Sequence, residues 1–185
     1  MRDSSGKNLP LILHPHGGPH GPRDEWGFNP EVQFLANRGY AALQTVVREP
    51  AKYQCTIGYV GVYDLPLMFK DGDIPQSDWG RNYLRKVLPD SLGEQQAQSP
   101  AFNIDKIRIP VMLVHGKKDE RVPMSQYDRL HDGLVKAGRP PEMIVLEDKE
   151  GHGFYDFQNQ VDLYTKMEAF LDKHIGGAGN AQAGR

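Results

Sequence analysis

The feature that most constrains the fold is a set of short apolar runs that stop abruptly at glycine or a polar residue. Val111-Met112-Leu113-Val114 ends at His115-Gly116, and Leu9 to Leu13 ends at His14, just ahead of His16-Gly17-Gly18-Pro19. Met143 to Leu146 and Val60 to Tyr63, the latter ending at Asp64, have the same character, and Tyr40 to Thr45 restarts it after Gly39. Runs this short and this uniformly apolar read as strands covered on both faces, which is the situation in a parallel sheet flanked by helices. The intervening segments supply the helices. Asn29-Pro30 is a helix start with a capping side chain and a first-turn proline, followed by Phe34, Leu35 and Ala36 as a core face and Gly39 as the stop. Pro123 opens a helix on which Tyr127, Leu130 and Leu134 recur at helical spacing before Gly138 and Pro140. Val161, Tyr164, Met167, Leu171 and Ile175 mark one face of a final helix over 156–175. Strands alternating with helices predict an α/β fold with a mostly parallel sheet and helices on both faces.

Residues 65–100 follow this alternation less clearly. Trp79, Tyr83, Leu84 and Val87 predict a short anchored helix between polar stretches, serving either as a cap over a site or as surface packing. Residues 176–185 are small and polar and read as a disordered tail, leaving one domain over 1–175.

Composition narrows the function classes. Lys plus Arg number 22 against 24 Asp plus Glu, a net charge of -2, so the chain lacks the basic footprint of a nucleic-acid or anionic-lipid binder. The single cysteine, Cys55, excludes an internal disulfide and reads as a buried strand thiol. The Met1 end is polar and has no apolar signal-like segment, which makes the cytoplasm the default compartment and predicts no membrane partner.

In parallel sheets, functional groups gather at the carboxyl ends of the strands. Three loops there carry chemistry. His115-Gly116-Lys117-Lys118-Asp119 places a carboxylate just before the helix that Pro123 opens; the same carboxylate could simply favour that helix's dipole. Glu150-Gly151-His152-Gly153-Phe154 holds a histidine between glycines on a turn, and taken alone this is a surface turn. An acidic residue after one strand and a histidine after the next, in that chain order, is how α/β-hydrolases supply the orienter and the general base. His16, Gly17 and Gly18 follow a strand, where backbone N–H groups can face an anionic oxygen. His14, His16 and His20 raise a metal site, but without a helical spacing or thiolate partner no metal is assigned.

Taken together, His16-Gly17-Gly18-Pro19, Ser99-Pro100 leading to Pro110, His115-Gly116-x-x-Asp119-x-x-Val122-Pro123 and Gly151-His152-Gly153-Phe154 resemble the prolyl oligopeptidase family of serine peptidases, and within it the acylaminoacyl-peptidase and dipeptidyl-peptidase branches. The resemblance runs from Leu9 to about Ile175. It implies an α/β-hydrolase fold, Asp119 and His152 as catalytic residues, an oxyanion loop at His16, Gly17 and Gly18, and a peptide or acylated amino-acid substrate. It calls for no cofactor and leaves a homo-oligomer open.

The family's nucleophile elbow, G-x-S-x-G, has no match. The serines are Ser4, Ser5, Ser77, Ser91, Ser99 and Ser125, and none has glycine both two positions before and two after; Cys55 has none either. Only Val46 to Tyr53 separate two strands between which the elbow unit, ~30 residues or more, should lie. The expectation is an internal deletion that removes the nucleophile, its central strand and one oxyanion donor. The strand at Leu11–His14 should then pair directly with the one at Ile57–Val62. Three accounts follow: a peptidase with an unrecognised serine, a non-catalytic binding or dimerisation module, and a truncated fragment.

Overall fold

The computed structural model describes residues 11–13, 41–43 and 53–176. The chain forms two compact units, Met1–Glu49 with Leu171–Arg185, and Pro50–Phe170. In the first, β1 (Leu11–Leu13) and β2 (Ala41–Leu43) pair in parallel, Leu11 opposite Ala41 and Leu13 opposite Leu43. In the second, β3 (Thr56–Tyr59), β4 (Val111–Gly116) and β5 (Met143–Glu147) form a parallel sheet in the order β3-β4-β5. The described ladders are β1-β2 and β3-β4-β5, and the expected pairing of the Leu11–His14 strand with the Ile57–Val62 strand is not among them.

β4 is the centre of the larger unit. All six of its residues are buried, as the apolar run predicts. Its side chains alternate between faces. Val111 and Leu113 pack with Tyr127, Leu130 and Leu134 of α3 (Met124–Lys136), backed by Ala101, Ile104 and Ile107. Met112 and Val114 pack with Val145, Phe154, and Leu163 and Phe170 of α4 (Phe157–Ile175). One helix therefore covers each face, and the chain reverses at both ends of β4 within short loops.

Three local expectations need correction. Val60–Tyr63 is not strand. β3 ends at Tyr59, and Val60 takes φ 45°, a left-handed conformation that β-branched residues avoid and that turns the chain out of the sheet. The N–H groups of Tyr63 and Asp64 instead donate to Gln126 Oε1 at 2.9 and 2.7 Å, while Gln126 Nε2 donates to the Asp64 carbonyl at 2.8 Å. On α4 the buried residues are Leu163, Phe170 and Leu171, with Met167 partly buried against the same cluster; of the expected face Leu171 and Met167 pack inward, whereas Val161 is exposed. The face is rotated so that Phe170 meets Met112 and Val114. Cys55 lies just before β3 and is half-buried rather than within the core.

The segment joining β3 to β4 contains α1 (Asp78–Val87), α2 (Leu92–Gln98) and short 3-10 turns. Ser77 and Ser91 cap the two helices through the N–H groups of Gly80 and Glu94, and Ser91 Oγ donates to Glu94 in return. Leu84 anchors α1; Trp79, expected to help, is 75% exposed and stacks on Tyr83. Asp64 with Arg129 at 3.0 Å, Asp73 with Arg121 at 2.9 Å and Ser125 with Asp71 at 2.7 Å tie the start of this segment to α3 and the loop before it. It behaves as packing against those elements.

Gln126 is the joint between them. Replacing Gln126 by Leu leaves two buried N–H groups and a carbonyl without partners, and should lower stability by about 2–4 kcal/mol in urea denaturation. A loss below about 1 kcal/mol would show that the joint is dispensable.

Candidate active site

The site begins where β4 ends. A Cβ on Gly116 would overlap the carbonyl oxygens of Glu150 and Gly151, so only glycine lets the loop after β5 cross the end of β4 this closely. Backbone bonds then stitch the two loops together: Lys117 N–H donates to the Glu147 carbonyl and Lys118 N–H to that of Glu150, both at 2.9 Å.

Asp119 lies on the first loop with its side chain fully buried. Its Oδ1 accepts the N–H groups of Arg121 at 2.9 Å and Val122 at 2.8 Å. Its Oδ2 lies 2.9 Å from His152 Nδ1. Since the carboxylate can only accept, Nδ1 carries the hydrogen, and in the neutral ring Nε2 is the nitrogen with the lone pair. The His152 side chain is 47% exposed, and Nε2 has no hydrogen-bond partner among the described residues. An imidazole oriented by a buried carboxylate, with its far nitrogen open, can accept a proton from a group placed there.

The second loop holds His152 at the apex of a three-residue turn in which Gly153 N–H donates to the Gly151 carbonyl at 2.9 Å. Gly153 takes φ 120°, which a side chain there would strain. Phe154 is buried behind it, meets the Tyr59 ring edge-on at 5.6 Å, and donates its N–H to the Tyr59 hydroxyl at 2.7 Å. Glu150 braces the other side. Its carboxylate accepts the N–H groups of Tyr155 at 2.9 Å and Asp156 at 3.0 Å and the Asn159 amide at 2.8 Å. The Tyr155 N–H, then the Asn159 amide, hold the Glu150 carboxyl below the usual range, against the opposing effect of burial. Asp156 caps α4 through the N–H groups of Gln158 and Asn159.

A second histidine lies beneath the pair. His115 is fully buried, with Nε2 2.7 Å from the Val122 carbonyl and 3.7 Å from Asp119 Oδ2. The structure thus brings Asp119 and His152 together, while His16, Gly17 and Gly18 fall outside the described residues, as does the tail from 177. Sequence reading missed Glu150 and the Val122 peptide; their only signal was proximity to the predicted loops. Among the described residues, none of the serine hydroxyls meets His152. Ser77 and Ser91 cap helices, Ser99 Oγ accepts Leu65 N–H at 2.9 Å and donates to the Gln95 carbonyl at 2.7 Å, and Ser125 bonds Asp71. No cluster of His, Cys, Asp and Glu suited to a metal ion occurs among the described residues.

A parallel sheet with an acid after β4 and a histidine after β5, both at carboxyl ends, defines an α/β-hydrolase. The sequence matches the prolyl oligopeptidase family, Peptidase S9, over residues 27–178, and the chain belongs to that family. It is 27% identical to dipeptidyl peptidase family member 6 of Caenorhabditis elegans over 233 aligned residues, covering 90% of this chain and 31% of the relative. It is 28% identical to the acylamino-acid-releasing enzyme of Rattus norvegicus over 145 residues, covering 75% of this chain and 19% of that enzyme. The crystal structure of puromycin hydrolase superposes on 68% of this chain and 19% of its own with a TM-score of 0.58 at 25% identity. An acylaminoacyl peptidase in complex with Z-Gly-Gly-Phe-chloromethyl ketone shares the fold, with a TM-score of 0.58 at 19% identity. The chain spans a third or less of the length of these curated relatives. The alignment over 233 positions is longer than the 185 residues of the chain, so the relative carries residues with no counterpart here. No helix among the described residues is long and apolar enough to cross a membrane.

Because Glu150 titrates at lower pH in the folded protein than in the unfolded chain, its contribution is present above the ordinary carboxyl range and disappears as pH falls through the lowered folded value. Glu150→Gln should therefore lower stability near neutral pH, and the gap to the parent chain should close in acid. Denaturation across pH checks this; a gap that stays constant into acid would contradict it.

Proposed function

We propose that this chain is a peptidase-family domain that keeps the acid and base of a serine-peptidase site but not its nucleophile, so that it engages peptide or acylated amino-acid ligands without hydrolysing them on its own. The observation that carries this reading is the Asp119–His152 pair at 2.9 Å with an Nε2 that, among the described residues, is hydrogen-bonded to no hydroxyl or thiol. The sequence supports it, since no serine has the glycines of an elbow. So does the alignment to the dipeptidyl-peptidase relative, which needs more residues than this chain has. The proposed ligand class follows from the family and from the relatives' names.

In a complete site the histidine takes the proton of a serine hydroxyl as it attacks the acyl carbon, and the acid holds the tautomer. His152 and Asp119 supply the last two roles. Without the serine, the base has only water to activate, and loss of the triad nucleophile leaves ~10³–10⁴-fold over water at best. That remainder depends on oxyanion donors, of which the N–H following the serine belongs to the same absent unit; removing one side-chain donor from an oxyanion hole costs ~3–4 kcal/mol. The two losses concern one site and do not add.

A second reading, a truncated fragment of a longer enzyme, is favoured by β3, which has β4 as its only strand neighbour among the described residues. Both readings exclude turnover and differ in whether the chain unfolds cooperatively.

The test is hydrolysis of acylaminoacyl and aminoacyl chromogenic substrates by the purified chain beside His152→Ala. Equal rates, both at background, are expected. A parent rate tenfold or more above the variant would overturn the proposal.

A further inference from the structure

The Asp119–His152 pair depends on a carboxylate aimed in one direction, and the second histidine beneath it bears on that aim. His115 is the fifth residue of β4 and is fully buried, its ring 6.0 Å from that of Tyr127. Its Nε2 lies 2.7 Å from the Val122 carbonyl. A carbonyl only accepts, so Nε2 carries the hydrogen and the ring is the Nε2–H tautomer. The other nitrogen, Nδ1, is buried with no partner. An acceptor left bare inside a protein is destabilising, and a leucine of similar bulk would spare that cost. What the imidazole offers in exchange is a single N–H.

That N–H goes to a carbonyl the helix cannot serve. Val122 is buried and precedes Pro123, which caps α3; the first helical backbone bond, from Gln126 N–H, ends on the Pro123 carbonyl. The same Val122 donates its own N–H to Asp119 Oδ1 at 2.8 Å. The residue is thus held on both sides, its carbonyl by His115 and its N–H by Asp119. With Oδ1 fixed by Val122 and Arg121, Oδ2 is turned to His152. His115 does not compete for Oδ2, because 3.7 Å is beyond hydrogen-bond reach.

We propose that His115 is a positioning residue: by clamping the Val122 peptide from behind, its Nε2–H fixes the Asp119 carboxylate in the orientation that holds the His152 tautomer. This deepens the reading of Asp119 and His152 as a retained acid–base pair and rests on it. Burial lowers the proton affinity of His115, opposed by the Val122 carbonyl and by Asp119, so the ring acts as a neutral donor rather than a second charge beside the carboxylate.

The test uses the purified, ¹⁵N-labelled chain and histidine side-chain NMR, which distinguishes the tautomers of its seven histidines. The unmodified chain should show His115 as the Nε2–H tautomer and a hydrogen-bonded His152 Nδ1–H resonance. His115→Gln, whose amide nitrogen can still reach Val122, should keep that resonance; His115→Leu should lose it to solvent exchange while the rest of the spectrum stays dispersed. A His115 Nδ1–H tautomer in the unmodified chain overturns the role without any variant, and so decides the matter if His115→Leu does not fold. Persistence of the resonance at parent intensity in a folded His115→Leu also overturns it. Absence of the resonance from the unmodified chain overturns the pair itself, and the role of His115 with it.

Discussion

A buried carboxylate that accepts three hydrogen bonds governs the carboxyl end of this sheet. Asp119 has no exposed side-chain surface, and burying a charge without partners costs far more than one domain's margin of stability. Two backbone N–H groups on Oδ1 and the imidazole on Oδ2 meet that requirement. Each partner is in turn fixed by something else: Val122 by His115, and His152 by a tight turn between Glu150 and Phe154. Removing one member exposes the next to the same penalty, which explains why two loops separated by a whole helix behave as one unit.

Asp119 and His152 are held entirely by elements of the Pro50–Phe170 unit. β4, β5 and their two covering helices carry Asp119 and His152, and among the described residues their packing draws on β3 but on no further strand. The hydrogen bonds around Asp119 therefore hold the pair in place as a matter of stability alone. The pair leaves an imidazole nitrogen open and is not by itself evidence of turnover.

Much of this was legible in the sequence. The uniformly apolar Val111–Val114 reads as a strand covered on both faces, and Asp119 and His152, placed after successive strands by the sequence, lie in hydrogen-bond contact. What failed were inferences that local pattern cannot decide. Val60–Tyr63 is as apolar as a strand but is held by a distant glutamine side chain, and Gln126 gives no sign in the sequence that it will serve as backbone partner to residues 62 and 63 positions away. The phase of α4 was ambiguous because two sets of residues share helical spacing. His115 could be read as part of a motif, but its single donated bond depends on a carbonyl that is orphaned only once the helix start is in place.

The central claim, that His152 is an oriented base with no nucleophile to serve, is tested most directly by exposing the purified chain to a fluorophosphonate and measuring its intact mass. Such probes report only a hydroxyl activated by a neighbouring base. The account predicts an unchanged mass, identical to that of His152→Ala treated in parallel. A stoichiometric adduct on the parent chain that is absent from His152→Ala would reveal a nucleophile in reach of His152 and contradict it.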